Sequence, residues 1–587
     1  MLILLLAIFL VGFLILAGGI GYLLSPSSPA AAPVVQGPAP PDDQPMAVEQ
    51  PPNLDQIVKD RPAGDRLNRP EIAGPPPMPL PGPPGPLGGP DFPPGFPGGP
   101  GVQGMPGGLR PPPGFPGARP GVGPKAAGVA PKFAPIVPLS VLPTPLAKER
   151  EERSLAAPVE VAVPAGGGRL LLLHLPKVRQ VAVFDVNLGK VVKHIPANDD
   201  RVFIAGGMNS FVMYLAEKRV LERWNCKSLQ KEEDLKDPFG NDEVYGLAMG
   251  CGSNGPLVAA LGGDRMPPRR GAFLYYFDPV TGKELQYEIS ARRGLNPVGL
   301  GIIGNRDLND FSVRVSTDGS LVTGWSMSGP VESNVLEGNR RTHSWLPASV
   351  PLLPTADGRA LIIGDNQFSP ELTDGRALIA RPNARMYIPA VRGDYVVSLQ
   401  GNSVRPRGLD KQSASAEVLF GAEAKSLLQF SELPSFELPN FREARGRTFD
   451  RHVFLIPDAK LLVVIPIKKS DQLVLYKADL DKALANAGVD YLFVASQPPT
   501  GTVKGESYSY TMLVRSKKGG VKVALESGPK GMTVTPAGAV SWDVPKDFGG
   551  SEAVVILKVT DSSGREVSHS FTLIVAAKAG GTGEKKG

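Results

Sequence analysis

The sequence predicts an all-β chain assembled from repeated strand–turn–strand units, on three observations. Two short signatures recur at near-constant spacing between residues 155 and 480. No helix-period segment of note interrupts that region, and only DLDKALANAG, Asp479 to Gly488, reads as helix. Beyond Ser496, short runs alternate apolar and polar residues at the period of a strand buried on one face.

The first signature is Phe184-Asp185-x3-Gly189-Lys190, matched by Phe277-Asp278-x3-Gly282-Lys283. Between them Trp224-Asn225 holds the Phe-Asp positions, and LVLYKADLDKAL echoes the pattern with Tyr476. An apolar strand ends in an aromatic, Asp or Asn opens a tight turn, and Gly takes the positive φ before a second strand returns. The second signature is an Asp-Gly turn feeding an apolar strand: Asp318-Gly319 before Leu321-Val322-Thr323, and Asp357-Gly358 before Leu361-Ile362-Ile363. Pro457-Asp458-Ala459-Lys460 before Leu461-Leu462-Val463 is a looser copy.

The spacings, 39 residues from Asp318 to Asp357 and 40 from Phe184 to Trp224, match a four-stranded blade. The fold predicted for residues 148–495 is therefore an irregular β-propeller, of about seven blades at roughly 40–50 residues each. On these residues, 150–495 resembles the WD40/quinoprotein-like propellers of bacterial envelope proteins. The stretch departs from the WD40 pattern in lacking a Trp-Asp dipeptide. Tyr491-Leu492-Phe493-Val494 followed by Ser496-Gln497-Pro498-Pro499 resembles the junction of such a propeller with an Ig-like module. In quinone-cofactor dehydrogenases the Phe-Asp-x3-Gly-Lys type of repeat is structural, so this resemblance implies fold and not redox activity.

Residues 496–577 are expected to form a β-sandwich. Tyr508/Tyr510/Met512/Val514, Val555/Leu557/Val559 and Phe571/Leu573/Val575 each turn one side of a strand inward, with turns at Gly519-Gly520, Gly538 and Ser562-Ser563-Gly564. The segment resembles putative-Ig and cadherin-like bacterial adhesion modules in Gly528-Pro529, Met532, Gly538, Trp542, Asp561, Gly564 and Phe571. Met532 and Trp542 read as core fillers. Asp561 reads as a turn former, because calcium needs several converging oxygens and no second acidic cluster joins it. Residues 578–587 read as a disordered tail.

Ahead of the propeller, Met1 to Leu24 is apolar almost throughout, with no charge before Asp42. As a helix this run spans roughly 36 Å, enough for a hydrocarbon core of about 30 Å. It exceeds the apolar region of a signal peptide and lacks a basic n-region, which favours an uncleaved single-pass anchor over cleavage near Ala30-Ala31-Ala32. Its flanks carry no Lys or Arg, which is compatible with export of the remainder. Residues 25–147 hold most of the Pro in a chain with 63 Pro and 69 Gly. Gly82, Gly85 and Gly88 keep a collagen period that Asp91 breaks, and Gly95 to Gly107 resume it in another register until Arg110. The stretch is expected to be a disordered, partly polyproline-II tether reaching about 60 Å.

The formal net charge is only +6 over 587 residues, with Lys and Arg scattered among acids, so nucleic-acid binding is not expected. The densest basic run, Arg442, Arg445, Arg447 and Arg451, reads as a solvated loop. Cys226 and Cys251 allow one bridge or two separate buried thiols, and exclude multi-thiolate metal sites. His174, His194, His343, His452 and His569 have no metal-ligand spacing. Gly299-x-Gly301-x-x-Gly304 matches the dinucleotide fingerprint in letters, but no amphipathic helix follows it. Asp199-Asp200 and Asp307/Asp310 read as solvated turns. No catalytic, cofactor-binding or metal residue is predicted, and none is assigned to a binding site. The expectation is a non-enzymatic, membrane-tethered extracytoplasmic binding or scaffolding protein, held in the periplasm or at the cell surface. It would recognise an envelope protein or polysaccharide through its propeller. The alternative is an extracytoplasmic propeller enzyme, glycan-active or quinone-dependent.

Overall fold

The computed structural model describes residues 131–262, 272–291, 311–326, 330–346, 351–378, 384–401, 414–421, 424–433 and 449–577. The expected anchor, the tether up to residue 130 and the tail lie outside them, as do Gly299 to Gly304, Asp307, Asp310, Arg442, Arg445 and Arg447. Among the described residues, no helix is long and apolar enough to cross a membrane.

Seven antiparallel-based sheets follow one another among the described residues between 150 and 477. Their first strands are Val161–Ala165, Val202–Gly206, Glu243–Ala248, Ser312–Val315, Leu352–Pro354, Ala384–Pro389 and Val453–Ile456. Each sheet packs on the next through a shared apolar core. Leu170, Leu172 and Val183 of the first sheet meet Phe211 and Met213 of the second. Tyr214 and Leu221 meet Leu257 and Phe277 of the third, and the series continues to the sixth and seventh through Val397, Val418, Leu462 and Val474. The seventh then packs on the first, Val463 and Leu475 against Leu171 and Phe184, so the series of cores closes into a ring. This is a β-propeller. Burying one such Leu or Phe is worth about 1.5–3 kcal/mol, and the ring repeats it at every sheet-to-sheet contact.

Closure is also made by hydrogen bonds. Arg150–Ser154, early in the chain, pairs antiparallel with Gln472–Lys477 and becomes the outer strand of the seventh sheet. The third and fourth sheets are irregular. The third keeps three strands, while Glu288–Ala291, which follows it in sequence, runs parallel to Arg340–Leu346 on the outer edge of the fourth and gives that sheet five.

The two sequence signatures prove to be the turns on one face of the ring, where the first strands end. Asp185 accepts the backbone N–H of Asn187 at 2.9 Å, and Asp278 that of Val280 at 2.8 Å. Asn225 does the same for Lys227 and Ser228 at 2.9 Å. Four residues on, Gly189 and Gly282 adopt φ of 61° and 65°, and in the third copy Leu229 takes φ 55° where a Gly is expected. The Asp-Gly turns lie between first and second strands, with Asp318 and Asp357 accepting N–H of Ser320 and Arg359 at 3.1 Å. The expected helix forms over Leu480–Asn486, with Asp479 accepting the Lys482 N–H as its cap.

The C-terminal region holds two larger sheets around one core, flanked by a two-stranded ribbon of Leu492–Val494 with Val514–Ser516. Gly501–Val503, Glu566–Ala576, Glu552–Thr560 and Lys522–Ser527 form one, and Ser507–Thr511, Ala539–Asp543 and Thr533–Val534 the other. Trp542 and Met532 are buried between them, and the Trp542 indole donates to the Lys530 carbonyl at 3.1 Å. Asp561 closes a turn, accepting the Ser563 N–H at 2.9 Å and the Ser516 hydroxyl at 3.1 Å.

Candidate functional site

The first strands of all seven sheets run side by side around the ring axis. They leave a cavity of about 150 Å³ whose wall takes Val163, Ile204, Leu247, Val313, Leu353, Ile388 and Val453, one residue from each sheet. The apolar lining follows from packing: a strand flanked by two neighbouring sheets is buried on most of its surface. Three charged residues interrupt it, Arg314, Asp450 and Arg451.

Arg314 lies in the first strand of the fourth sheet, and Asp450 just before that of the seventh. Three sheets apart on a ring of seven, they reach across the axis. The Arg314 guanidinium grips Asp450 with two N–H groups, Nη2 at 3.1 Å from Oδ1 and Nε on Oδ2. It also donates to the Val313 carbonyl at 2.9 Å and stands 5.1 Å from the centre of the Trp325 ring. Both side chains keep some solvent contact, at 14% and 10% of their surface. Burial pushes the Asp450 carboxyl up, but the charge and hydrogen bonds of Arg314, with Arg451 behind them, outweigh it and hold the carboxyl below the usual range.

Arg451 has no ion pair among the described residues. Burial and the like charge of Arg314 push its guanidinium down to about 9, which Asp450 only partly offsets. A guanidinium keeps its proton at physiological pH, so the depression expresses unrelieved charge and not titration. The expected solvated loop is thus corrected at Arg451: the residue lines the ring cavity. The sequence held one signal for the site, an Arg centred in the apolar strand Ser312–Val315; its partner Asp450, 136 residues away, had none.

The face where the first strands end is covered by the chain itself. Gln497, in the connection to the two-sheet region, donates to the Gly252 carbonyl at 2.6 Å and accepts from Arg392 at 2.7 Å. Arg392 also holds Asp458 at 2.9 Å. Residues 131–147, within the stretch read as spacer, form an ordered strap over this face. The Asn254 and Asn209 amides hold the Pro135 carbonyl at 2.9 and 2.7 Å. Thr500 exchanges hydrogen bonds with Ile136, and Thr144 donates to Ala459 at 2.9 Å. Below the strap, Gly168 at φ 95° sits where a Cβ would come within 3.0 Å of Val391, so backbone fills the axis at this end.

Asp199 is buried, and its carboxylate accepts N–H groups of Arg201, Glu217 and Lys218, which corrects the expected solvated turn; Asp200 is exposed and pairs with Arg179. Cys226 and Cys251 are separate buried thiols, the second pushed up to about 11 by burial. Among the described residues, no group of three or more His, Cys, Asp or Glu side chains is placed to hold a metal ion.

No protein-family model matches the sequence, and no curated protein matches it. Among solved structures, the chain is similar to the β-propeller domain of Cps50 (Swd1) from Myceliophteria thermophila, at 11% identity and a TM-score of 0.35. The match covers 55% of this chain and 98% of that domain.

Proposed function

We propose that the chain is a membrane-tethered, extracytoplasmic binding scaffold that recognises an envelope protein or polysaccharide through its propeller. In this reading the seven sheets are seven blades, the C-terminal region is an Ig/cadherin-like module, residues 1–24 are the anchor and 25–130 the tether. The observation that carries it is the unequal use of the two faces. The strap and the connection to the C-terminal module occupy the strand-end face, so partners are directed to the face where the first strands begin. A propeller presents its loops at such a face on a rigid ring, which suits recognition. The Arg314–Asp450 pair argues against the enzymatic alternative at the ring axis, since a carboxylate held ionised between guanidinium groups is not poised to give or take a proton at neutral pH.

The two native thiols are buried, so an introduced surface cysteine is labelled selectively. Lys218 is exposed on the strand-start face and Lys227 on the strand-end face. A bulky polyethylene-glycol maleimide on Lys218→Cys of the full chain is expected to abolish binding to envelope extracts, and the same adduct on Lys227→Cys to leave it intact. Equal binding by both adducts, or none by the unlabelled chain, would overturn the reading.

A further inference from the structure

The ring cavity holds two guanidinium groups and one carboxylate within an otherwise apolar wall. Arg314 and Asp450 satisfy each other in a two-point grip, and that pair alone is a cross-ring strut. Arg451 is not explained by the strut. It adds a second positive charge to the cluster, has no ion pair among the described residues, and is offset only in part by the one carboxylate of Asp450. Burying a charge in low-dielectric surroundings is costly unless an opposite charge meets it. A guanidinium presents a planar fork of donors that fits the oxygens of a carboxylate or phosphate.

We propose that Arg451, with Arg314 beside it, binds the oxyanion group of a small molecule in the propeller cavity, Asp450 orienting Arg314. The ligand is a carboxylate- or phosphate-bearing compound small enough for a cavity of about 150 Å³. Asp450 limits the ligand's charge: one net positive charge in the cluster favours a singly charged group over a polyanion. The apolar wall selects a compact, weakly polar body behind the charged head. This site is independent of the macromolecular partner proposed above; it is a small-molecule site inside the ring, not a docking surface outside it.

The test uses the full-length chain in detergent and equilibrium dialysis with radiolabelled acetate and, separately, radiolabelled orthophosphate, at fixed ionic strength set with chloride. The expected result is one saturable site per chain for at least one probe, each probe displacing the other, and the tighter one identifying the carboxylate or phosphate source. Arg451→Gln is expected to lose at least tenfold in affinity, while Arg219→Gln, which removes an exposed surface guanidinium, leaves it unchanged. If Arg451→Gln does not fold by circular dichroism, Arg451→Lys keeps the charge without the fork and is expected to weaken binding severalfold. No saturable binding to the wild-type chain overturns the proposal. So does binding that is equal in wild type and in a folded Arg451 variant.

Discussion

The two ends of the propeller axis use the same chemistry to opposite effect. At the strand-end face Arg392 is consumed by the chain: one N–H group goes to Asp458 and another to Gln497, whose own amide reaches Gly252. Within the ring Arg314 is likewise consumed by Asp450, but Arg451, offset only in part by the same carboxylate, has no ion pair among the described residues. A guanidinium matched one to one by a carboxylate fastens the fold, whereas two guanidinium groups over one carboxylate leave the cluster with one positive charge in excess. In a fold whose sheets are otherwise interchangeable, that excess charge singles out the ring cavity as the proposed ligand site.

Breaking the ring pair should have the larger effect. Asp450→Ala leaves two adjacent guanidinium groups in the cavity with no counter-charge, and is expected to cost about 3 kcal/mol, read as a lower urea midpoint. Arg392→Ala should cost about 2 kcal/mol, since it removes charge-assisted hydrogen bonds at a half-exposed site. Faster protease cleavage between the propeller and the C-terminal region would report it. Gly189→Ala places a side chain at φ 61°, 3.1 Å from Thr144 of the strap, and should cost about 1–2 kcal/mol. An unchanged midpoint there would mean that the strap yields without loss.

Acid should also separate the two regions. Burial, then the Arg359 charge, pushes His569 at the cleft between propeller and C-terminal region down to about 4. Its unfolded value is about 6.5, so the unfolded chain takes the proton first. The His569 contribution is complete above pH 6.5 and declines as pH falls toward 4. Asp318 and Asp394 line the same cleft, raised chiefly by burial, and act in the opposite sense. His569→Gln isolates the histidine and should flatten the decline between pH 6.5 and 4. Asp450, held low, keeps the ring pair intact through that window and releases it only below the ordinary carboxylate range. Amide exchange protection of Ser312–Val315 should therefore outlast that of Glu566–Ala576 on acidification.

The sequence made the turns legible because their physics is local. An Asp or Asn that caps its own backbone, with Gly four residues on, needs no distant partner, and those turns set the propeller spacing. Leu229 shows the limit of that signal, since it occupies a left-handed conformation that only the other copies reveal. The strand moved from the third sheet to the edge of the fourth left no trace, because an edge strand alternates in the same way whichever sheet it joins. The strap was hidden by composition. A proline-rich segment has no period, and Asn187, Asn209 and Asn254, whose amides hold it, lie far away in sequence. The ring site stayed hidden for a similar reason, because its charges come from a strand and a distant turn that meet only when the ring closes.

Export and tethering are central to the proposed function, and cell fractionation followed by external protease tests them most directly, with an antibody against residues 496–577. A tethered, exported chain is expected as a membrane-bound, full-length species that protease reaches only after the outer layer is permeabilised. Protease should then cut it between residues 25 and 130, leaving a resistant core that begins near the strap at residue 131. A soluble species, or one protected on the cytoplasmic side, would contradict it.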